Sequence, residues 1–337
     1  MASSQIQGSF ESSLSIQELA KAPILAIPQR YVQEDQEPSI LASGTSLPTI
    51  PFIDMKCLIP GEAKDYELEK LHSTCKEWGI FQLVNHGVSS SLVEKLKYEI
   101  EEFYNLPLEE KMRYKLRPGD VEGYGQTMLN SQAQKVEWAD RDTLESYFSE
   151  LQKIAMTLLG LMGKALKIEK REVEEMFEDG MQSVRITYYP PCPQPELAVG
   201  LRPHSDATGI TILLQVNSVE GFEVKKDGVW IPVNILPEAF VVNVGDIMEI
   251  LSNGVYKSIE HRAVVNRVKE RISLAMFFNP KFQAEVGPAG SLINPQNPPL
   301  FKRVGMEKYV KDFFTHKLKG KSFIEQMRIK IGEDSPT

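Results

Sequence analysis

From about Ser183 to Phe278 the chain is a succession of short apolar segments, each cut off by Pro, Gly or Asn. Ile210 to Val216, Phe222 to Val224, Trp230 to Val233, Phe240 to Val244, Ile259 to Val265 and Ile272 to Phe278 are of this kind. They are too short for helices, and they are rich in the β-branched and aromatic residues that pack well on a pleated surface. Several such strands, closely spaced and separated by turns, must bury their faces against one another. The stretch therefore predicts a sandwich or a barrel.

The flanks read differently. Leu68, Leu71, Cys75 and Trp78 recur at helical steps, with Gly79 as the stop. Leu92, Leu96, Ile100 and Phe103 mark a second helix, and a third begins near Leu144 and carries Tyr147, Leu151, Ile154, Leu158 and Leu161. Ile80 to Val84 reads as a strand closed by the turn Asn85-His86-Gly87, and Pro48 to Asp54 as an edge strand, where proline is tolerated. The expected fold class is mixed α/β (α+β). Residues 1–45 form a flexible, polar N-terminal arm, 46–180 a helical and mixed domain, 181–285 the β-core, and 286–337 a C-terminal helical tail around Lys308 to Lys321.

Charge and cysteine content narrow the function. With 38 Lys+Arg against 46 Asp+Glu the net charge is −8, the wrong sign for displacing counterions from nucleic acid. No apolar run approaches the ~18 residues of a membrane span. The three cysteines, Cys57, Cys75 and Cys192, are widely spaced, which argues against a disulfide scaffold or a cysteine zinc site. The Ser-rich start carries Glu11 and Glu18, with no Arg before Arg30, unlike a transit peptide. A cytoplasmic protein acting on a small molecule, as a monomer without nucleic-acid or membrane partners, is the expectation.

Only five histidines are available as imidazole ligands: His72, His86, His204, His261 and His316. His204 and Asp206, two apart on an extended segment, project to one face. His261 from a facing strand would complete two imidazoles and one carboxylate, the facial set of non-haem Fe(II) oxygenases with open coordination positions. Arg271 and Ser273 follow on a strand of their own, pointing the same way. The planar guanidinium suits a carboxylate, so one end of a dicarboxylate could bind metal while the other met this pair. His86 is expected to order its turn, Cys192 to be a small buried residue, and His72 and His316 to be solvated.

These motifs, together with Cys75-Lys76-Glu77-Trp78-Gly79, Asn85-His86-Gly87-Val88, Tyr188-Tyr189-Pro190-Pro191-Cys192-Pro193 and Asn243-Val244-Gly245-Asp246, resemble a known family over nearly the whole chain. That family is the plant 2-oxoglutarate- and Fe(II)-dependent dioxygenases, in the senescence-related, alkaloid O-demethylase-like and flavonoid-oxidising branch. The resemblance implies a double-stranded β-helix (jelly-roll) core with flanking helices. It implies Fe(II) on His204, Asp206 and His261, and 2-oxoglutarate held by Arg271, Ser273, Tyr189 and Thr187. Tyr124 and Phe277 match substrate-pocket positions. The implied reaction consumes O2, releases succinate and CO2, and uses ascorbate as reductant. It hydroxylates, desaturates or O-demethylates a small aromatic metabolite.

Two departures from the family stand out. Relatives carry Asn where this chain has Thr187. Relatives also run from Trp-Ala-Asp into a strand and a Pro-rich connection, whereas Trp138-Ala139-Asp140 is followed at once by a helix-like Arg141-Asp142-Thr143-Leu144-Glu145. This predicts an internal deletion after Asp140 that removes a strand beside the pocket. A binding protein without turnover, or a splice product, is the alternative function; a cupin using another metal is a third, which leaves Arg271 and Ser273 without a purpose.

Overall fold

The short segments pair into two antiparallel sheets with a common interior. The computed structural model describes residues 16–21, 24–33, 36–37, 48–58, 64–115, 123–124, 141–316 and 319–330. The strands of its two main sheets are β1 (Phe52–Asp54), β2 (Ile80–Val84), β3 (Gln182–Tyr189), β4 (Val199–His204), β5 (Ile210–Gln215), β6 (Phe222–Lys226), β7 (Val229–Pro232), β8 (Phe240–Val244), β9 (His261–Val264) and β10 (Arg271–Phe278). The larger sheet runs β1-β2-β8-β5-β10-β3 and the smaller β4-β9-β6-β7. Every pairing in them is antiparallel except β1 with β2. The result is the jelly-roll core in a mixed α/β chain.

Side-chain alternation sorts the larger sheet into two faces. Ile186, Ile212, Val242, Leu274 and Met276 lie in the main core, together with Leu151, Leu158 and Met162 of the helix Arg141–Ala165. The opposite face turns inward, where Ile80, Leu213 and Val241 pack with Phe222, Val224 and Ile231 of the smaller sheet. Thr187, Tyr189, Thr211, Asn243, Arg271 and Ser273 share the parity of these inward positions, because the registers pair Thr187 with Ser273, Tyr189 with Arg271, and Thr211 with Asn243. Two apolar layers thus enclose one polar patch.

The predicted helices are present as Lys64–Glu77, Ser90–Asn105 and Arg141–Ala165, and Gly79 ends the first with φ +66°. The tail is helical at Met306–Thr315 and Ser322–Met327. Other elements escaped the pattern. Asp246–Leu251 is a helix with all six residues buried, so it shows no amphipathic stripe. Lys170–Phe177 is a short, charge-rich helix, and β4 is an irregular strand with shifts in register.

The C-terminal segment is tied into the core. Gly320 N–H donates to Pro203 O at 2.9 Å, bridging beside His204. Lys321 Nζ reaches the buried Glu249 carboxylate at 2.6 Å, and Arg328 reaches its other oxygen at 3.2 Å.

Candidate active site

His204 closes β4 and His261 opens β9, and the two are direct register partners. Their ring centroids lie 4.3 Å apart. Asp206 comes from the loop just beyond β4 and not from the strand itself, so, contrary to the expectation from their spacing, a shared strand face is not what brings His204 and Asp206 together. What brings the carboxylate round is the pinning of that loop. Asp246 N–H donates to Asp206 O at 2.7 Å and Ile247 N–H to Thr208 O at 3.0 Å. Ser205 Oγ donates to the Asp246 carboxylate at 3.1 Å. Gly245 allows the approach, since a Cβ there would stand 2.1 Å from Thr208 O.

The three side chains are buried and converge. Asp206 Oδ1 lies 3.6 Å from Nε2 of His204 and 3.6 Å from Nε2 of His261. These separations are too long for good hydrogen bonds but fit ligands around a shared ion. Potential ligand atoms of all three residues fall within 4.8 Å of one another. Each is braced at its other atom. His204 Nδ1 meets Arg202 O at 2.7 Å and His261 Nδ1 meets Ile259 O at 3.1 Å. A carbonyl only accepts, so Nδ1 carries the proton and Nε2 presents its lone pair. Asp206 Oδ2 accepts from Thr211 Oγ1 at 2.7 Å and from Asn243 Nδ2 at 2.8 Å.

The electrostatics agree with a ligand set. Burial, with the neighbouring His261, pushes the His204 imidazole well below its ordinary value despite the Asp206 carboxylate, which keeps it neutral. Burial alone would raise the Asp206 carboxyl. The two imidazoles and the bonds from Asn243 and Thr211 outweigh that and hold it below the usual range.

Arg271 and Ser273 lie on the same inner surface. Arg271 is 1% exposed, donates from Nη1 to Ser273 Oγ at 3.3 Å, and stands 5.4 Å from the centre of the Tyr189 ring. Its Nε and Nη2 have no hydrogen-bond partner. Burial lowers its basicity, opposed by Tyr189, yet arginine keeps its charge in such settings. Gly221, at φ +149°, makes room: a Cβ there would meet Val264 O at 2.7 Å and Arg271 Cδ at 3.0 Å. A buried guanidinium with two bare nitrogens is costly until a carboxylate arrives.

The remaining sequence candidates divide. Phe277 pairs with Thr211 and Ser183, on the inward parity of β10. Tyr124 lies in the N-terminal layer, its ring 5.6 Å from Phe103 and beneath the Lys111 ammonium. His86 orders its turn as expected: Nε2 meets Glu238 O at 2.8 Å, Nδ1 accepts from Val88 N–H, and the ring stacks on Phe240. Cys192 is buried. His72 is half-buried and not fully solvated, and its Nδ1 bonds the Tyr256 hydroxyl at 3.0 Å. His316 is likewise half-buried, against Phe323 and Gln326. The predicted break after Asp140 lies outside the described residues, although a helix does begin at Arg141.

Sequence reasoning gave Thr211 and Asn243 no role at the site, although Asn243 opens one of the motifs that carry the resemblance. Their signal is a polar residue among apolar neighbours, Ile-Thr-Ile-Leu-Leu and Phe-Val-Val-Asn-Val. It also passed over Arg185, which shares the inward parity of Thr187, pairs with Ala275, and makes no side-chain hydrogen bond or ion pair among the described residues. Arg185 is near enough to add to the depression of the His204 imidazole that burial begins.

Known proteins share this arrangement. Residues 180–280 match the 2OG-Fe(II) oxygenase superfamily, and residues 50–156 match the N-terminal region described as non-haem dioxygenase in morphine synthesis. The chain is 45% identical to oxoglutarate-dependent flavonoid 7-O-demethylase 1 of Ocimum basilicum, covering 98% of this chain and 94% of that one. That alignment runs over 354 positions, more than the 337 residues here, so some of the relative's residues have no counterpart. Thebaine 6-O-demethylase of Papaver somniferum is 47% identical, with 94% and 96% of the two chains covered. The crystal structure of JOX2 in complex with 2OG, Fe and JA superposes with a TM-score of 0.82 at 33% identity, covering 94% of this chain and 98% of that one.

Proposed function

This chain belongs to the 2OG-Fe(II) oxygenase superfamily, and from that premise we propose that it removes a methyl group from a ring oxygen of a small aromatic plant metabolite. It is an Fe(II)- and 2-oxoglutarate-dependent oxygenase. The observation that carries the reading is the shared interior: a buried His-Asp-His cluster and a buried arginine with bare nitrogens lie within one core built from two sheets.

His204, Asp206 and His261 hold the metal in this reading, and the donor set of two imidazoles and one carboxylate suits Fe(II). Arg271, with Ser273 beside it, takes the far carboxylate of 2-oxoglutarate; Tyr189 and Thr187 border that end. Fe(II) and 2-oxoglutarate, once bound, supply from O2 an oxidant able to attack an unactivated C–H bond, with succinate and CO2 released. The protein's part is to orient the substrate and exclude water. Oxidation at a methoxy carbon gives a hemiacetal that collapses to a phenol and formaldehyde, so one O2 and one 2-oxoglutarate are consumed per methyl group.

The substrate class rests on the two demethylase relatives. Phe277 supports it as an aromatic wall on the inward side of β10, and Tyr124 rests on the family resemblance alone. Arg185 adds a cation that suits an acidic phenol or another acceptor oxygen on the ring. The unmatched positions in the alignment support a deletion relative to relatives. β3 also ends the larger sheet with a second edge that has no strand partner among the described residues. A role as a binding protein without turnover is not favoured, since ligand cluster and guanidinium are both in place. No helix among the described residues is long and apolar enough to cross a membrane, and a cytoplasmic monomer using ascorbate as reductant completes the proposal.

The test is succinate and formaldehyde formation from methoxylated flavonoids and alkaloids, with Fe(II) and 2-oxoglutarate supplied. Both products are expected, and both vanish in His204→Ala. Succinate with a hydroxylated or desaturated product, but no formaldehyde, would replace demethylation by those outcomes. No succinate with any substrate would overturn the catalytic reading.

A further inference from the structure

We propose that Thr211 and Asn243 are positioning residues for the metal, which together hold Asp206 to ligation through Oδ1 alone. The inference rests on the reading of His204, Asp206 and His261 as the ligand set, and it assigns two residues outside that set a part in its chemistry.

Thr211 on β5 and Asn243 on β8 are register partners, so their side chains leave adjacent strands side by side toward the interior. They are 3% and 2% exposed, on strands whose other residues are almost all apolar. Burying a hydroxyl and an amide there is unfavourable unless both are bonded. Both donate to one atom, Asp206 Oδ2, at 2.7 and 2.8 Å. Thr208 Oγ1 lies 3.2 Å from Thr211 Oγ1. With the Thr211 proton committed to the carboxylate, Thr211 accepts from Thr208, and the chain of donors has a single direction. Oδ1 is left at 3.6 Å from each Nε2.

The consequence is stereochemical. A carboxylate free to turn can offer both oxygens to a cation and occupy an additional coordination position. With Oδ2 held by two donors from a rigid sheet, only Oδ1 remains available. Three protein atoms then meet the metal and the rest of its sphere stays open. Groups behind the ligands generally matter at this level, with removal of one weakening metal affinity by about 10- to 100-fold.

The test uses the full chain and Co(II) as an air-stable probe. Calorimetric titration and the visible Co(II) absorption would be measured for the wild type, Thr211→Val, Asn243→Leu and Thr211→Ser. Thr211→Val and Asn243→Leu are expected to bind Co(II) about 10- to 100-fold more weakly, with absorption bands displaced from the wild type. Thr211→Ser, which restores the donor, is expected to recover affinity and bands. Residues that merely satisfied one another would change the thermal midpoint and leave both Co(II) readouts alone. Wild-type affinity and bands in Thr211→Val and Asn243→Leu would therefore overturn the clamp. Co(II) binding that survives unchanged in His204→Ala would instead overturn the ligand set on which the clamp rests.

Discussion

At the His204–Asp206–His261 end of the site every ligand is already braced from behind. At the Arg271 end two nitrogens of a buried guanidinium have nothing to bond. The first end resembles a finished cage: backbone carbonyls hold the imidazoles, side-chain donors hold the carboxylate, and the atoms left over point at one another. The second end is in deficit, stable only because the surrounding fold outweighs the burial of an unpaired charge. The contrast separates two tasks. A metal cage gains from being rigid before the ion arrives, whereas a cosubstrate pocket gains affinity from donors that no protein group has satisfied.

Breaking the finished end should have the largest effect. Asp206→Ala removes the anionic ligand and leaves Thr211 and Asn243 without their acceptor. Succinate formation is expected to fall below detection, and the metal-induced rise in thermal midpoint to disappear. Retained metal stabilisation in that variant would show that the cage lies elsewhere.

The end in deficit should respond in the opposite sense when no ligand is present. Arg271→Met replaces an unpaired buried cation by an apolar chain of similar reach, which removes the cost of burying the charge. The ligand-free thermal midpoint is expected to hold or rise. Loss of charge-assisted hydrogen bonds of about 1.5–3 kcal/mol should raise the KM for 2-oxoglutarate by roughly 10- to 150-fold. A ligand-free protein strongly destabilised by Arg271→Met, or an unchanged KM, would erase the contrast between the ends.

The smallest change sharpens the same comparison. Thr187, in register with Ser273, stands where the family resemblance implies Asn. Thr187→Asn should lower the KM for 2-oxoglutarate by a few-fold, the value of one added hydrogen bond of about 0.5–1.5 kcal/mol, with kcat unaltered. A raised KM would mean that the hydroxyl, and not an amide, is what this pocket needs.

How far the chain can be read without its structure varies with the burial pattern. Phe240–Val244 matches its predicted span, because its boundaries coincide with turn residues. β10 and β5 lie within one residue of expectation for the same reason. The helix Asp246–Leu251 was invisible since every side chain is buried, and a helix without a polar face carries no period. His72 was misjudged because its helix looks polar while its partner, Tyr256, lies far along the chain. At the site, the convergence of His204, Asp206 and His261 was legible from residue chemistry, although Asp206 arrives from a loop and not from a strand face, and the common face of Arg271 and Ser273 was legible from their spacing. Thr211, Asn243 and Arg185 were not, because their importance depends on neighbouring strands in register.

By itself the order of residues determined the kinds of element and the chemical repertoire: short strands between helices, two imidazoles and a carboxylate, an arginine followed by a hydroxyl. Those follow from local sterics and from what each side chain can donate, accept or ligate. Only the tertiary structure decided which atoms of those groups are free. It turned Nδ1 of each imidazole to a carbonyl, gave Oδ2 of Asp206 to Thr211 and Asn243, and left Nε and Nη2 of Arg271 bare. The physical reason is that hydrogen-bond partners in a buried β interior come from adjacent strands distant in the chain, so a group's availability is set by register, which no local pattern records.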